Sequence, residues 1–500
     1  MTALPLLAGN GDLFPTVVSS KPLREHQLRA MGMLRQAIRS GVSRIVLALA
    51  TGAGKTRIAA EIIKGGLAKG KRVAFTVPAI SLVDQTVAAF EAEGIAAIGV
   101  MQASHPRTDH RQPVQVVSVQ SLAKRVRPDV DVVIVDECHM RFAAVSKWIA
   151  ECPDVTFVGL SATPWAKGMA DDWQGLIIPV EMQALIDAGY LSPFRVYAPS
   201  HPDMSGVKIG RDGDFEDAGS REVMGGLTAD VVETWKARAQ GLPTLVFAVD
   251  RAHAAQLQAQ FAEAGVKMGY CDAHTDTVER AYLFRQMARG DLSGIVNIGT
   301  LTTGVDADVR CVVLARPTRS EMLFVQMIGR ALRTAPGKTE ALILDHADNH
   351  ARLGFVTDIR HDKLRTGKDR TPATAKERGE ALPKECGSCG TLKPTKARSC
   401  PSCGFEPERQ STVEVEEGTL VELRTSPKSD KGDKQAWWSQ LLGVASQRGR
   451  SRGWASHAYR ERFGVWPRSL TDVPIAPSPE VLSYVTAKDI RFAKRQGTAR

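Results

Sequence analysis

The 500-residue sequence lacks any apolar run approaching the roughly 18 consecutive residues that a membrane-spanning helix requires. Nor does it open on a basic segment ahead of an apolar one: Met1-Thr2-Ala3-Leu4-Pro5 does not read as a secretory signal. Of its eight cysteines, four, Cys138, Cys152, Cys271 and Cys311, are scattered through the chain and four cluster in its C-terminal part. These absences exclude membrane and secreted classes and predict a cytosolic protein. Its scattered cysteines should be reduced, buried, small apolar residues. Aromatics are scarce at 6%, which makes their one concentration, near the C-terminus, noticeable. Apolar content (43%) and charged content (24%) are ordinary for a globular chain. At about 150 residues per domain, the length predicts roughly three units.

Net charge is nearly absent from residues 1–360. Residues 361–500 hold 26 Lys and Arg against 17 Asp and Glu, so nearly all of the whole chain's +10 resides there. A basic end on a neutral body suggests a polyanionic partner, since Lys and Arg that neutralise phosphates release condensed counterions. The plainer alternative is a solvated tail.

From Arg44 to Asp345 the chain alternates short β-branched runs with amphipathic stretches. The runs are 44–50, 73–77, 114–119, 130–135, 156–160, 244–249, 294–299, 311–315 and 341–344. They are continuously apolar rather than alternating, as expected of parallel strands covered on both faces by crossover helices. A Gly-, Pro- and Asp-rich interruption near residues 190–225 divides the series into two α/β domains.

The sharpest local feature is Leu49-Ala50-Thr51-Gly52-Ala53-Gly54-Lys55-Thr56, between an apolar strand and a helix beginning near Arg57. Thr51, Gly52, Ala53 and Gly54 can turn tightly enough to present backbone N–H groups to phosphates at a helix N-terminus. Lys55 would then reach the outer phosphates and the Thr56 hydroxyl would ligate Mg²⁺. Leu49 stands where the general phosphate-loop pattern has its first glycine. The second feature is Val133-Ile134-Val135-Asp136-Glu137-Cys138-His139. It delivers two carboxylates from a buried strand to the same sheet edge, one able to hold Mg²⁺ and one able to activate water. In isolation two acids after a strand could equally be a solvated strand end.

Together with Leu23–Gln27 (LREHQ), Val77–Thr86 (VPAISLVDQT), Ser161–Pro164 (SATP), Thr300–Asp306 (TLTTGVD) and Gln326–Arg333 (QMIGRALR), these segments form seven motifs in order across residues 20–350. They resemble the motifs of superfamily 2 DExH-type (DEAD/DEAH-box) helicases, within the restriction- and repair-helicase branch. The resemblance implies two RecA-like parallel-sheet domains in tandem, with ATP in the cleft between them and a nucleic-acid strand crossing both. It implies that Gln27 and Arg24 read adenine, that Lys55 and Thr56 bind phosphate and Mg²⁺, and that Asp136 holds Mg²⁺ while Glu137 is the catalytic base. His139, Ser161 and Thr163 would couple nucleotide state to domain closure. Gly304 and Asp306 would contact nucleotide from the second domain, Gln326 would line the cleft, and Arg330 and Arg333 would be the arginine fingers. A helix over Glu321–Arg333 would put Gln326, Arg330 and Arg333 on one face; surface ion pairing is the plainer reading of those arginines.

Cys386, Cys389, Cys400 and Cys403 form C-x2-C-x10-C-x2-C, which lets four thiolates converge on one Zn²⁺ with Gly390 and Gly404 in the turns behind them. No ligand position is open, so the ion would be structural; iron–sulfur use is the rival. Beyond it, Trp437, Trp438, Trp454, Tyr459, Phe463 and Trp466 are interleaved with Lys431, Lys434, Arg448, Arg450, Arg452, Arg460, Arg462 and Arg468. Such a segment stacks bases or forms a small helical core. The arginines of the QRGRSRG stretch (447–453) fit a loop that contacts a nucleic-acid backbone.

The resulting expectation is an α/β chain of two domains, followed by a small four-cysteine zinc ribbon and a basic helical module. The boundaries are an N-terminal segment (1–19), an ATP-binding domain (20–195), a linker or insertion (196–225), a second domain (226–357), a linker (358–383), the ribbon (384–408) and the Trp-rich module (432–500). The function expected is an ATP-dependent helicase or translocase, with DNA preferred over RNA as polymer and a bacterial or phage source. Alternatives are an ATPase that remodels nucleoprotein without unwinding, and the motor of a restriction-type nuclease complex. The chain has no [D/E]-x-K nuclease element, so cutting would come from a nuclease or a replication or repair partner. No membrane partner is expected.

Overall fold

The computed structural model describes residues 22–301, 307–369, 374–406 and 430–497. Met1 to Glu408 forms one compact unit and Arg409 to Arg500 another. In the first unit, seven parallel strands make one sheet: β1 (Arg44–Ala48), β2 (Val73–Val77), β3 (Ile98–Met101), β4 (Val114–Ser118), β5 (Val132–Asp136), β6 (Thr156–Ser161) and β7 (Gly175–Ile177), in the order β3-β4-β2-β5-β6-β1-β7. Six more make a second parallel sheet: β8 (Phe194–Tyr197), β9 (Thr244–Phe247), β10 (Met268–Cys271), β11 (Gly294–Asn297), β12 (Cys311–Leu314) and β13 (Ala341–Asp345), in the order β10-β11-β9-β12-β13-β8. Helices cover both faces, which is why residues such as Val133, Ile134, Val312 and Val313 are fully buried. One hydrophobic cluster contains Leu47 and Leu49 from the first lobe together with Leu314, Val325 and Ile343 from the second. Among the described residues no helix is long and apolar enough to cross a membrane.

All nine expected strands are present. The four that the apolar runs do not predict are β3, β7, β8 and β10, the two edges of each sheet. Each is three or four residues long, and Gly99, Gly175, Arg195 or Gly269 interrupts its apolar character.

The expected boundaries shift accordingly. Phe194–Tyr197 pairs with β13 and so belongs to the second lobe, not to a first domain ending at 195. The proposed linker 196–225 is only partly a linker. It contains a helix, Asp217–Gly225, and its Asp214 carboxylate accepts hydrogen bonds from the Thr318 hydroxyl (2.5 Å) and the Arg319 N–H (2.6 Å). The polar segment 358–383 also packs rather than floats. Leu364 lies against the first lobe's cluster of Met169 and Trp173, and the Ala170 N–H donates to the Arg365 carbonyl at 2.8 Å. The N-terminal segment 1–19 and the residues Gly304 and Asp306 lie outside the described residues.

In the second unit, helices Lys431–Gln447, Arg452–Phe463 and Pro479–Gly497 surround a core of Trp438, Leu441, Val444, Tyr459, Val481 and Val485. Trp438 and Tyr459 therefore build a helical core with Trp437, Trp454 and Phe463 packed against it, while Trp466 stays exposed. Arg448 and Arg450 pair with Asp489 at 3.2 and 2.8 Å, Arg452 pairs with Asp472, and Arg450 lies 4.5 Å over the Trp454 ring. The arginines read as a backbone-contacting loop are thus engaged within the module, because Asp472 and Asp489, distant in sequence, are brought against them.

Candidate functional site

In the sheet order β5-β6-β1, three motif-bearing strands are neighbours, and their C-terminal ends lie along one edge: Asp136 is in register with Leu160, and Ala48 with Ser161. Leu49 extends this pairing, its N–H donating to the Ser161 carbonyl at 2.8 Å. Its side chain is fully buried, which explains a leucine where the general pattern has glycine. The chain then turns through Gly52 (φ +86°) and Gly54 (φ +88°) into the helix Lys55–Leu67. A Cβ at Gly54 would sit 2.3 Å from the Gln27 amide nitrogen, so this position needs glycine for space as well as for its backbone. The helix has no side-chain cap and no acid in its first turn. Its leading N–H groups are therefore available to an anion.

Facing the loop, the Lys55 ammonium lies 3.2 Å from Glu137 Oε1. Glu137 adopts a left-handed backbone (φ +44°), rare for a non-glycine residue and costing of order 1 kcal/mol or more. This turns its carboxylate toward Lys55 and 3.3 Å from His139 Nδ1. Burial and the adjacent Glu137 charge push the Asp136 carboxyl up to about 6. Burial acts on Glu137 in the same direction, but Lys55 and His139 outweigh it and hold that carboxylate below its ordinary value. Burial lowers the His139 pKa, so its neutral form is favoured. The Cys138 thiol within the motif is buried and pushed well up by that burial.

A second network crosses between lobes. The Gln326 amide nitrogen donates to Thr163 Oγ1 at 3.0 Å and faces His139 Nε2 at 3.1 Å. With that nitrogen as donor, His139 accepts at Nε2, and its Nδ1 proton faces Ser161 Oγ at 2.8 Å. The Thr163 N–H closes the circuit onto Ser161 Oγ at 3.0 Å.

The cleft itself, about 390 Å³, is lined by Lys55, Thr56, Asp136, Glu137, Arg330 and Arg333, with Arg24, Thr51, Gly52 and Gly54 also on its walls. The structure thus brings together carboxylates and loop from the first lobe and two arginines from the second. Gln326 does not line this cleft, because it is consumed by the inter-lobe network. The expected helix over Glu321–Arg333 ends at Gly329. There the chain meets Thr51, whose Oγ1 would lie 3.1 Å from a Cβ on Gly329. Beyond it, Arg333 pairs across to Leu191, and the Leu332 carbonyl accepts from the Ser192 N–H at 2.7 Å. The two arginines therefore reach the cleft from a turn, on a different side from Gln326.

Gln27, expected to face adenine, is 4% exposed. Its amide accepts from the Arg24 N–H at 3.0 Å and donates to the Ala53 carbonyl at 3.1 Å, which makes it a brace behind the glycine loop. Ala53 shares that position, its carbonyl also 3.0 Å from His26 Nε2. Sequence reasoning missed Tyr190, which lines the cleft with its ring 4.6 Å below the Arg24 guanidinium. It also missed Gln85 and Thr86 on the opposite wall, the latter pair visible only as part of the Val77–Thr86 motif.

Away from the cleft, the four clustered cysteines are free thiols whose sulfurs all lie within 4.8 Å of one another. The Cys386–Cys403 and Cys389–Cys400 pairs are 3.7 Å apart. A tetrahedron of sulfurs at about 2.3 Å from one ion has edges of about 3.8 Å, so the set fits a single tetrahedral metal such as Zn²⁺. Gly390 and Gly404 both have φ +72°, as the turns behind each pair require. The Thr391 hydroxyl and N–H bring the Cys389 thiol down to about 6, and the N–H groups of Cys389 and Ser388 lower that of Cys386. Thr391 bridges to Tyr197 on the edge strand β8, and Leu392 enters the main hydrophobic cluster. Metal analysis should find about one zinc per chain, lost in a Cys386→Ser/Cys403→Ser variant. Hydrogen exchange should then accelerate across 384–406 and at β8; unchanged protection there would show that the cluster closes without metal.

Residues 20–166 match the family described as type III restriction enzyme, res subunit, and residues 228–335 match the helicase conserved C-terminal domain. A 51.5 kDa protein of a Lactococcus phage (isolate 7-9) is 28% identical over 366 residues, covering 71% of this chain and 76% of that one. The putative ATP-dependent helicase IRC3 of Saccharomyces cerevisiae is 28% identical over 363 residues, 65% of this chain and 52% of its own. This chain thus spans about half the length of the yeast relative. A fragment of a putative HsdR subunit of a type I restriction enzyme from Vibrio vulnificus YJ016 shares the fold, with a TM-score of 0.52 and 22% identity over 65% of this chain and 64% of that chain. Ordered motifs, tandem parallel sheets and both family matches place this chain in superfamily 2 of the helicases, on the restriction and repair branch.

Proposed function

We propose that the protein is an ATP-driven helicase or translocase acting on DNA. The observation that carries this reading is the convergence of Lys55 and Glu137, 3.2 Å apart, with Arg330 and Arg333 of the other lobe on one cleft. In this reading the glycine-loop N–H groups and Lys55 receive the phosphates, and Arg24 and Tyr190 flank the base. Thr56 and Asp136 would hold Mg²⁺, which when bound would neutralise phosphate charge. Glu137 orients the attacking water and takes its proton. Lys55 turns from Glu137 to phosphate as nucleotide enters, which removes the charge that depresses the Glu137 pKa and makes it a stronger base. Arg330 and Arg333 then meet the transferring phosphoryl group from the second lobe, so hydrolysis and lobe closure are linked through contacts only the closed cleft completes. The Gln326–His139–Thr163 network lies at the same seam and would transmit that change. Zn²⁺ on the four cysteines is assigned a structural role.

DNA is the polymer proposed because the chain belongs to the restriction branch and carries its net positive charge in residues 361–500. The test is ATP hydrolysis with no polymer, single-stranded DNA, duplex DNA, tailed duplex and RNA, with Lys55→Ala as control. Strong stimulation by one DNA form is expected, followed by unwinding or displacement on a forked version of it. Stimulation by RNA alone would overturn the DNA assignment. Turnover indifferent to every polymer would favour a remodelling ATPase, or the motor of a nuclease complex waiting for its partner.

A further inference from the structure

The turn that carries Arg330 and Arg333 follows directly on the C-terminus of the helix Glu321–Gly329, where backbone carbonyls have no partners within the helix. One side chain from outside the family motifs fills that position. The Lys338 ammonium donates to the carbonyls of Val309 (2.7 Å), Arg333 (2.7 Å) and Ala331. An ammonium has three N–H donors, and all three are used. Two of the carbonyls belong to the turn itself and lie beside the two arginines; the third lies on the segment that leads into β12. The Arg333 carbonyl also accepts from Ser192 Oγ at 3.1 Å, so that residue's backbone is held from both sides.

The loop that presents Lys338 is itself fixed. Arg310 donates to the Pro336 carbonyl at 2.9 Å and the Gly337 carbonyl at 3.3 Å and pairs with Asp308 at 2.9 Å. Gly337 supplies the turn with φ +70°. Burial lowers the Lys338 pKa to about 8, against the raising influence of Asp308; a lysine held there without a carboxylate in contact is held by the carbonyls.

We propose that Lys338 is a positioning residue for hydrolysis: by clamping the carbonyls of Ala331, Arg333 and Val309 it sets where the Arg333 guanidinium enters the cleft. The proposal rests on the arginine-finger reading above. It makes no contact with the cleft necessary for Lys338, which is absent from the residues lining it. A misplacement of about 1 Å in a catalytic group can reduce turnover by roughly a hundredfold. A planar guanidinium does not reproduce three converging donors.

The experiment is steady-state hydrolysis and equilibrium ATP binding by the full chain and its Lys338→Met, Lys338→Arg, Arg333→Ala and Lys338→Met/Arg333→Ala variants. For Lys338→Met, kcat should fall by about 10- to 100-fold with the ATP dissociation constant within about twofold of wild type. Lys338→Arg should be slowed as well, despite keeping its charge. The double variant should be no slower than Arg333→Ala alone, because the clamp acts through that arginine. A general loss of structure would instead multiply the two effects and weaken ATP binding. If Lys338→Met does not fold, Lys338→Gln, which retains two N–H donors, is read by the same criteria. Normal turnover in Lys338→Met alongside a slow Arg333→Ala would sink the clamp and leave the finger reading intact. Normal turnover in Arg333→Ala would overturn both.

Discussion

Replacing Glu137 by Gln should reduce ATP turnover by about 10² to 10⁴ while leaving nucleotide binding in place, the range expected when a general base is removed. The substitution is nearly isosteric, and the amide oxygen can still accept from Lys55, now 3.2 Å from Glu137 Oε1. The cleft should therefore keep its shape, and the residue's left-handed backbone is unaffected by the change. What disappears is the capacity to take a proton. Lys55→Ala should abolish turnover by a different route. Its loss leaves Glu137 and Asp136, both largely buried, without their nearest cation, and removes the cation aimed at the phosphates. That variant should bind ATP more weakly, whereas Glu137→Gln should not. Isothermal titration with ATP and a coupled phosphate-release assay separate the two outcomes. Near-normal hydrolysis by Glu137→Gln would remove the base assignment.

Arg330→Ala and Arg333→Ala should each slow hydrolysis by roughly 10³ or more, as removal of an arginine finger does elsewhere. The structural reason is that they reach a cleft whose carboxylates and phosphate loop belong to the other lobe, so they can act on the reacting phosphate only when both lobes are engaged. Lysine should not restore activity at either position, because a single ammonium lacks the planar fork that spans two phosphoryl oxygens. Arg330 is 5% exposed, so Arg330→Ala needs a stability control; the more accessible Arg333 gives the cleaner comparison. Single-turnover rates at saturating ATP, with and without the stimulating polymer, are the measurement. If either variant hydrolysed ATP at the wild-type rate under both conditions, that arginine would be a structural ion-pair residue.

The central strands were legible because their environment is uniform: β1, β2, β4, β5 and β6, and β9, β11, β12 and β13, are covered on both faces and read as apolar runs. Edge strands β3, β7, β8 and β10 pair on one side only, and a glycine or arginine in each breaks the run. The helix through Gln326 was legible as a pattern, but its end was not. Nothing local to Gly329 announces that Thr51, nearly three hundred residues earlier, occupies the space beside it. The segments 196–225 and 358–383 looked like linkers from their Gly, Pro and charge content. Their anchoring depends on individual contacts, such as Asp214 with Thr318 and Leu364 with the Met169 cluster, that composition does not encode.

By itself the sequence determined the chemical inventory: a glycine loop with Lys55 and Thr56, a carboxylate pair at a strand end, two arginines after a buried helix, and four cysteines spaced for one metal. Each is a local pattern, since the chemistry needs those residue types a fixed few positions apart. Only the tertiary structure decided which of them share a cleft and which way each side chain turns. It placed Gln27 behind the loop rather than in the cleft, gave Gln326 to His139 and Thr163, brought Tyr190 in beside Arg24, and set Lys338 under the arginine turn. Those outcomes depend on distances between residues remote in the chain, fixed by the order of strands in two sheets and by the packing at their shared seam.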